Sequence, residues 1–438
     1  MKKTKPTFSE ALKFWIKLGF ISFGGPAGQI AIMHEFLVKK KKWISESKFL
    51  HCLNYCMILP GPEAQQLATY IGWLLHDRIG GLLAGVFFIL PSVFILLLLS
   101  ILYVVYGNIP VIYSAFAALK PAVIAIIIIA LIKIGKKSLN SIFHLGIAAA
   151  SFVSIFFFNI AFPYIILSVI LLSLLINKLS PTFFESQKKI AEFTDSDEAE
   201  YFLNKNSVIK NSGFNKNIFT KQLGIFAALW LLPIILFYYF SRDFSFWSDL
   251  SLFFTKAALV TFGGAYAVLP YVAQLSVEKF LWLSKLQMID GLALGETTPG
   301  PLIMVLAFVG FMAGYNHFDF SISAAALGLL TTVFYTFLPS FFFIFIGGPI
   351  IERTQENQKI KAALNLVTAA VVGVVFNLTI YLAIAVIFPN EENFAEINYV
   401  SLVWILISFT AMQRFKINMI LWIFISVLFG LCRFFITT

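Results

Sequence analysis

The stretch that decides the fold is Phe23-Gly24-Gly25-Pro26-Ala27-Gly28-Gln29, followed by Trp43-Ile44-Ser45 and Pro60-Gly61-Pro62, because the chain writes it twice. Phe262-Gly263-Gly264 stands 239 residues after Phe23-Gly24-Gly25. At the same offset Lys17 meets Lys256, Trp43 meets Trp282, Ser45 meets Ser284, and Pro60-Gly61-Pro62 meets Pro299-Gly300-Pro301. No gap is needed across 14–62 against 253–301. Leu90-Pro91-Ser92 resembles Leu338-Pro339-Ser340 at an offset of 248, so a short insertion lies between. Chance likeness between apolar segments scatters Leu, Ile and Val matches. It does not put Gly, Pro, Trp and Lys in one register. The chain is read as a duplication.

Around these motifs the composition is that of a membrane protein. Of 438 residues, 59% are apolar and 12% charged. The mean hydropathy is +0.87, and a soluble domain carries about 25% charged residues. Stretches of the length a bilayer demands are expected at 11–37, 48–77, 79–106, 109–134, 141–158 and 160–177, then at 222–240, 248–275, 285–313, 320–346, 361–388, 397–412 and 417–436. The predicted division is a repeat over 1–178, a polar cytoplasmic linker over 179–221, an extra transmembrane segment within 222–247, and a second repeat over 248–438. The segment 222–240 has no counterpart in the first half. It makes the number of crossings between the repeats odd and turns the second upside down. The expected fold class is therefore an all-α polytopic membrane protein of two inverted-topology repeats with broken or re-entrant helices.

The net charge of +10 follows the positive-inside pattern rather than a nucleic-acid surface. With the N-terminus cytoplasmic, Lys133, Lys136, Lys137, the linker, Arg353, Lys359, Lys361, Arg414 and Lys416 collect on one side. Lys39 to Lys42 break the pattern if 11–37 crosses once. Each piece flanking the Gly-Gly-Pro or Pro-Gly-Pro break has about 12 residues, or about 18 Å of helix. That is enough to reach mid-membrane and return, which puts the lysines back inside. No small-residue cleavage site follows the first apolar stretch, so an uncleaved N-terminus is expected. Cys52, Cys56 and Cys432 do not make a disulfide scaffold. Cys52 and Cys56 beside His51 lack an obvious fourth ligand and read as small core residues rather than a metal site. No metal or cofactor is expected.

Gly-Gly-Pro and Pro-Gly-Pro cannot continue a helix. A helix restarting after such a break presents free N–H groups and a positive dipole end, a natural place for an anion. Four breaks in repeat register place the candidate site at Gly24, Gly25, Pro26, Pro60, Gly61, Pro62, Gly263, Gly264, Pro299, Gly300 and Pro301. Gln65, Gln66, Thr297 and Thr298 are neutral donor candidates for a tetrahedral oxyanion. Lys17 and Lys256 either face the anion or snorkel to the interface. Glu63 and Glu296 are costly charges at this depth, and proton coupling is their candidate role against helix capping or ion pairing. They are not repeat equivalents, since Glu63 aligns with Leu302 and Glu296 with Met57.

These motifs resemble the chromate ion transporter family in its long-chain, two-domain form. The first-half likeness rests on Phe-Gly-Gly-Pro with Gln29, Trp43-Ile44 and Pro60-Gly61-Pro62-Glu63-Ala64-Gln65-Gln66. The second-half likeness rests on Thr261-Phe262-Gly263-Gly264-Ala265-Tyr266 and Gly295-Glu296-Thr297-Thr298-Pro299-Gly300-Pro301. The resemblance implies chromate efflux across a bacterial inner membrane, with sulfate as an alternative substrate. An ion gradient would drive it, since the chain has no P-loop. The partners expected are a small oxyanion and membrane lipid, not nucleic acid, with a homodimer left open. A membrane-embedded enzyme acting on lipid phosphate, using Glu63, Glu296 and His51, is the competing reading from another class. It lacks a zinc or nucleophile motif. A passive channel is a third.

Overall fold

The computed structural model describes residues 5–179, 200–204, 207, 215–241, 243–262, 264–351, 358–389 and 396–437, with side chains omitted at 350, 351, 358–362 and 437. Gly263, most of the 179–221 linker and the loop holding Arg353 lie outside the described residues.

Each apolar stretch expected near a Gly-Pro break is two helices. The first half runs α1 (Phe8–Ile21), α2 (Gly25–His34), α3 (Glu46–Ile58), α4 (Glu63–Tyr106), α5 (Pro110–Ser138), α6 (Ile142–Phe156) and α7 (Phe162–Leu179). After α8 (Lys216–Phe240), the second half runs α9 (Phe244–Leu259), α10 (Ala265–Gln274), α11 (Lys285–Thr297), α12 (Val305–His317), α13 (Ile322–Ile351), α14 (Gln358–Ile387), α15 (Tyr399–Gln413) and α16 (Met419–Thr437). His76 and Asp77 leave helical geometry (φ −140° and +55°), so α4 is a short arm followed by a long helix. That matches the separate α12 and α13. Seven described helices are long and apolar enough to cross a membrane, and α6, α15 and the stretch 302–317 are shorter apolar helices.

The repeat recurs in local detail. Both α2 and α10 continue into a π-helical turn, Glu35–Lys40 and Leu275–Lys279. Each turn ends on a residue in left-handed geometry, Lys42 and Leu281, both with φ of 52°. The N–H of Trp43 then returns to the Leu37 carbonyl, and that of Trp282 to the Ser276 carbonyl, both at 2.8 Å. The Ser45 and Ser284 hydroxyls cap α3 and α11. The aligned Trp and Ser therefore mark one supersecondary unit built twice.

The arms in this unit return to their starting side. Lys41 pairs with Glu10 at 3.7 Å, and Phe14 stacks on Phe36 with ring centres 4.0 Å apart. His76, at the end of the short arm of α4, lies 3.0 Å from the Pro6 carbonyl. In the second half His317 reaches Asp243 at 2.7 Å, and Asn316 donates to the Trp282 carbonyl at 2.7 Å. Glycines let the arms close on their neighbours. A Cβ on Gly72 would meet the Gly80 carbonyl at 2.6 Å, and one on Gly310 the Gly328 carbonyl at 2.7 Å.

The halves interlock rather than sit side by side. α14 packs on α5, α6 and α7, while α5 also packs on α11, α15 and α16. A Cβ on Gly373 would strike the Ala148 carbonyl, and one on Gly430 the Ser114 carbonyl, so small residues set both approaches. α8 is peripheral: Gln222 is its only described buried residue, donating to the Phe345 carbonyl at 3.1 Å. The linker is not solvated throughout. Buried Leu203 pairs with Trp43 and Ser45 through backbone hydrogen bonds of 2.9 and 2.8 Å, and Glu200 pairs with Lys42. An apolar side chain among the polar residues gives the linker that docking point.

Candidate functional site

The breaks meet across the repeats in a reciprocal pair. The N–H of Gly61 donates to the Thr261 carbonyl, and that of Gly300 to the Ser22 carbonyl, both at 2.7 Å. Gly61 and Gly300 are repeat equivalents, and so are Ser22 and Thr261. The hydroxyls of Ser22 and Thr261 fold back to the equivalent carbonyls of Leu18 and Ala257 at 2.5 and 2.6 Å. Contacts between the same kinds of atoms in both directions are the signature of a local pseudo-twofold axis.

Two further links close a ring. Tyr266, in the first turn of α10, donates to Glu296 at 2.6 Å, and α2 packs on α4. The long helices brace it: Ser92 donates to the Pro299 carbonyl at 2.5 Å, and the Ser340 hydroxyl lies where a Cβ on Gly61 would point. Gly61 and Gly300 hold φ of +124° and +105°. A Cβ at Gly300 would lie 1.8 Å from the Ser92 oxygen. Only glycine meets both demands.

The helix starts around this ring share a feature that is otherwise found at Ile109 of α5, the lack of a side-chain cap. α2, α4 and α10, and the turn Leu302–Met304 leading into α12, begin without a side-chain cap at Gly24, Pro62, Gly264 and Pro301. By contrast α1, α3, α6, α8, α9, α11 and α15 are capped by Thr7, Ser45, Ser141, Asn215, Asp243, Ser284 and Asn398. Gly and Pro have no side-chain acceptor, so the motif itself leaves the first-turn N–H groups open.

Three buried glutamines line the ring. Gln29 donates to the Gly300 carbonyl at 2.6 Å, Gln65 to Thr69 at 3.0 Å, and Gln66 to the Pro60 carbonyl at 2.8 Å. Each keeps a buried amide oxygen without a partner.

Other expected site residues take different places. Thr297 and Thr298 both donate to the Leu294 carbonyl, at 2.8 and 2.7 Å, which spends their hydroxyl protons on the end of α11. In this arrangement they are acceptors rather than donors. Lys17 and Lys256 are exposed, at the edge of the faces that bury Phe14 and Leu18 in α1 and Phe253 and Ala257 in α9. Glu63 opens α4, half-buried in its first turn, where a carboxylate favours the helix dipole. Cys52 and Cys56 are buried and form no disulfide, and the described residues contain no cluster of three or more His, Cys, Asp or Glu to hold a metal ion.

The residue reading missed a buried ion pair. Lys120 of α5 meets Asp290 of α11 at 2.9 Å, and Tyr103 of α4 donates to the same carboxylate at 2.9 Å. Lys120 and Tyr103 lie in the apolar stretches 109–134 and 79–106, and neither belongs to a motif. An intramembrane ionisable residue with no neighbour in sequence was the available signal.

The chain is similar to known transporters over nearly its whole length. The family model described as "Chromate transporter" matches residues 9–175 and again 248–431. A protein named "Chromate transport protein" from Cupriavidus metallidurans is 28% identical over 383 residues, 87% of this chain and 84% of its own. A "Probable chromate transport protein" from Synechococcus elongatus is 27% identical over 382 residues, 86% of this chain and 85% of its own. An uncharacterized transporter of Methanocaldococcus jannaschii is 26% identical over 433 residues, covering 98% and 95%. No solved structure matches. The two matched regions fall on the two repeats, one on each side of the linker and α8. The chain is a membrane transporter rather than an enzyme, and it belongs to the chromate transporter family.

Proposed function

We propose that this protein is a secondary transporter of tetrahedral oxyanions, chromate foremost and sulfate as the alternative, and that the anion binds at the ring where the four breaks meet. The observation that carries the reading is the reciprocal pair of hydrogen bonds, Gly61 to Thr261 and Gly300 to Ser22. It draws together four helix starts whose N–H groups lack side-chain caps. The names of the relatives from Cupriavidus metallidurans and Synechococcus elongatus support chromate.

The two repeats are inverted. Arms α1–α2 and α3 with the start of α4 dip from the cytoplasmic side and return. The rest of α4, then α5, α6, α7 and α8, make five crossings, so α9–α10 and α11–α12 dip from the outside. The N-terminus and the linker are cytoplasmic, in a bacterial inner membrane. The division into 1–178, 179–221, 222–247 and 248–438 follows from this plan. Two faces of one pseudo-symmetric ring then serve the two openings of alternating access.

Glu63 and the oxyanion compete for the same helix start. An ionised Glu63 repels a dianion there, and a protonated one does not. Glu296, held by Tyr266, stands at the opposite break. Binding of the anion with protons on these carboxylates couples the two fluxes. A dianion leaving an inside-negative cell unaccompanied gains about 2.3 kcal/mol per charge per 100 mV; each proton carried out with it cancels one charge's share, so the coupling and not the potential alone sets the direction.

Reconstitution tests the proposal. Proteoliposomes should take up labelled chromate or sulfate with saturable kinetics when a proton gradient or membrane potential is imposed. Absence of flux for every tetrahedral oxyanion overturns it, and non-saturating flux identifies a channel.

A further inference from the structure

The Lys120–Asp290–Tyr103 cluster has no role in the ring, yet it is among the most deeply buried charge in the protein. Asp290 is 3% exposed and Lys120 9%. The carboxylate has one partner at each oxygen: the Lys120 ammonium forms an ion pair at Oδ1 and the Tyr103 hydroxyl donates to Oδ2, both at 2.9 Å. Its surroundings are aromatic. The ammonium lies 5.9 Å from the Tyr113 ring, and the Tyr103 ring meets Phe116 and Phe308 edge-on. A buried ion pair is a poor source of stability, because desolvation offsets its attraction and an apolar trio packs as well.

Its placement is informative. Lys120 and Tyr103 belong to the first repeat and Asp290 to the second, so the cluster ties the halves together. Tyr103 is one turn from the end of α4, and Asp290 is in the second turn of α11. Asp290 precedes Glu296 by six residues, about 9 Å of helix. The cluster therefore sits between the ring and the membrane face where α4 ends and α11 begins, the outer face in the proposed topology. Its repeat equivalents are His51 for Asp290 and Thr368 for Lys120. The other face has no copy of it.

We propose that Lys120, Asp290 and Tyr103 form the outer gate of the transport site, and that the oxyanion opens it by displacing Asp290 from the two donors. The idea rests on the transport reading above. The Asp290 carboxylate is the internal surrogate: one oxygen paired with the Lys120 ammonium and one on the Tyr103 hydroxyl, as two oxygens of a sulfate or chromate would be held. While Asp290 occupies the donors, α11 is fastened to α4 and α5 and the outer route is shut. When the anion takes them, the halves part on that side only.

The test uses the full chain in right-side-out vesicles, with Cys52, Cys56 and Cys432 replaced by alanine and a reporter placed in the ring by Thr297→Cys. A membrane-impermeant maleimide is added outside. In this parent, labelling is slow. Asp290→Asn should raise its rate about tenfold, the factor for a shift of 1.4 kcal/mol in a two-state gate. The exchange Lys120→Asp with Asp290→Lys restores the pair and should return labelling to the parent rate, which a merely misfolded variant does not do. Sulfate added outside should speed labelling of the parent and leave Lys120→Met unchanged. The gate is overturned by an unchanged rate in Asp290→Asn, by an exchange variant that labels like Asp290→Asn, or by an equal sulfate response in Lys120→Met. These readings need no flux. A parent that labels as expected but moves no oxyanion overturns the transport reading and leaves the gate standing.

Discussion

Replacing Gly300 by alanine separates two demands that the ring makes on one residue. The first is conformational: φ is +105°, in a region that side-chain-bearing residues enter at a cost of about 1–3 kcal/mol. The second is steric. The new Cβ would lie 1.8 Å from the Ser92 oxygen and 3.1 Å from its Cβ, and such overpacking adds about 1–3 kcal/mol. Gly61 repeats the case, with φ +124° and its Cβ site 2.5 Å from the Ser340 oxygen and 2.7 Å from the Gln66 nitrogen. Gly24 isolates the first demand, since φ is +88° and nothing lies within 4 Å. Gly224 in α8 makes neither demand, and alanine there adds up to about 1 kcal/mol of helix propensity. The expected order of destabilisation is Gly300 and Gly61, roughly 2–6 kcal/mol each, then Gly24 at about 1–3, then Gly224 at zero or slightly stabilising. Thermal unfolding in detergent, followed by tryptophan fluorescence at one heating rate, ranks the series without requiring reversibility. Adding Ser92→Ala to Gly300→Ala should recover the steric part and leave the conformational part. If Gly300→Ala unfolds no earlier than Gly24→Ala, the close approach of Ser92 to the ring is wrong.

Other outcomes follow from the same geometry. Glu296→Gln should fold and lose proton-driven flux, while Tyr266→Phe removes a charge-assisted hydrogen bond worth about 1.5–3 kcal/mol and should slow flux without abolishing it; proteoliposome assays with and without an imposed proton gradient distinguish the two, and full coupling in Glu296→Gln would make its role structural. Cysteines placed at exposed Lys40 and Lys279, equivalent ends of the π-helical turns, should label from opposite faces of the membrane, Lys40 from inside; labelling from one common face refutes the inversion. Asp243, outside the membrane-spanning segments, is held below the usual aspartate range first by its hydrogen bond from His317 and then by that from the Phe246 N–H. Its contribution is therefore fully present above the ordinary value of 3.8 and lost as pH falls through the lower folded value. The stability difference between the parent and Asp243→Asn should stay constant from neutral pH down to that range and close below it.

How much of this was legible in the sequence depends on what kind of residue carried the information. Breaks were legible because Gly and Pro act on the backbone, and the backbone acts locally. Trp43, Ser45 and their copies in the second repeat were legible as a pattern, although the reason for them, a cap and a returning hydrogen bond, needed coordinates. The kink at His76 and Asp77 was legible as a boundary, since the expected stretches end at 77 and restart at 79, although the left-handed geometry of Asp77 needed coordinates. Thr297 and Thr298 looked like donors for a ligand because composition does not reveal that a hydroxyl has already been spent on the Leu294 carbonyl. Lys120 and Tyr103 were hidden for the opposite reason: their partner is 170 or more residues away, and distance along the chain erases pairing. Ser22 and Thr261 stood in register throughout, but a Ser aligned with a Thr in an apolar helix gives no hint that their carbonyls, not their hydroxyls, receive the breaks of the other repeat.

The ring is symmetric in its backbone and asymmetric in its charges, and the two facts have separate uses. A backbone twofold gives two conformations of equal construction, one open to each side, provided nothing else distinguishes the faces. The charges then do. Glu63 lies at a helix start in the first repeat, where its copy is Leu302; Glu296 lies near a helix end in the second, where its copy is Met57; the Lys120–Asp290 pair guards one face, where the copies are Thr368 and His51. Each ionisable group therefore weights one conformation against the other by its protonation or pairing. If the carboxylates were repeat equivalents, a proton would favour both states alike and shift nothing. A pH-dependent bias between the two faces requires the difference. On this argument, installing the missing copies, Leu302→Glu with Met57→Glu, should leave binding of an oxyanion measurable but flatten the pH dependence of maleimide labelling of Thr297→Cys from one face, and a pH dependence kept in full in that variant would refute the assignment of the bias to the unequal carboxylates.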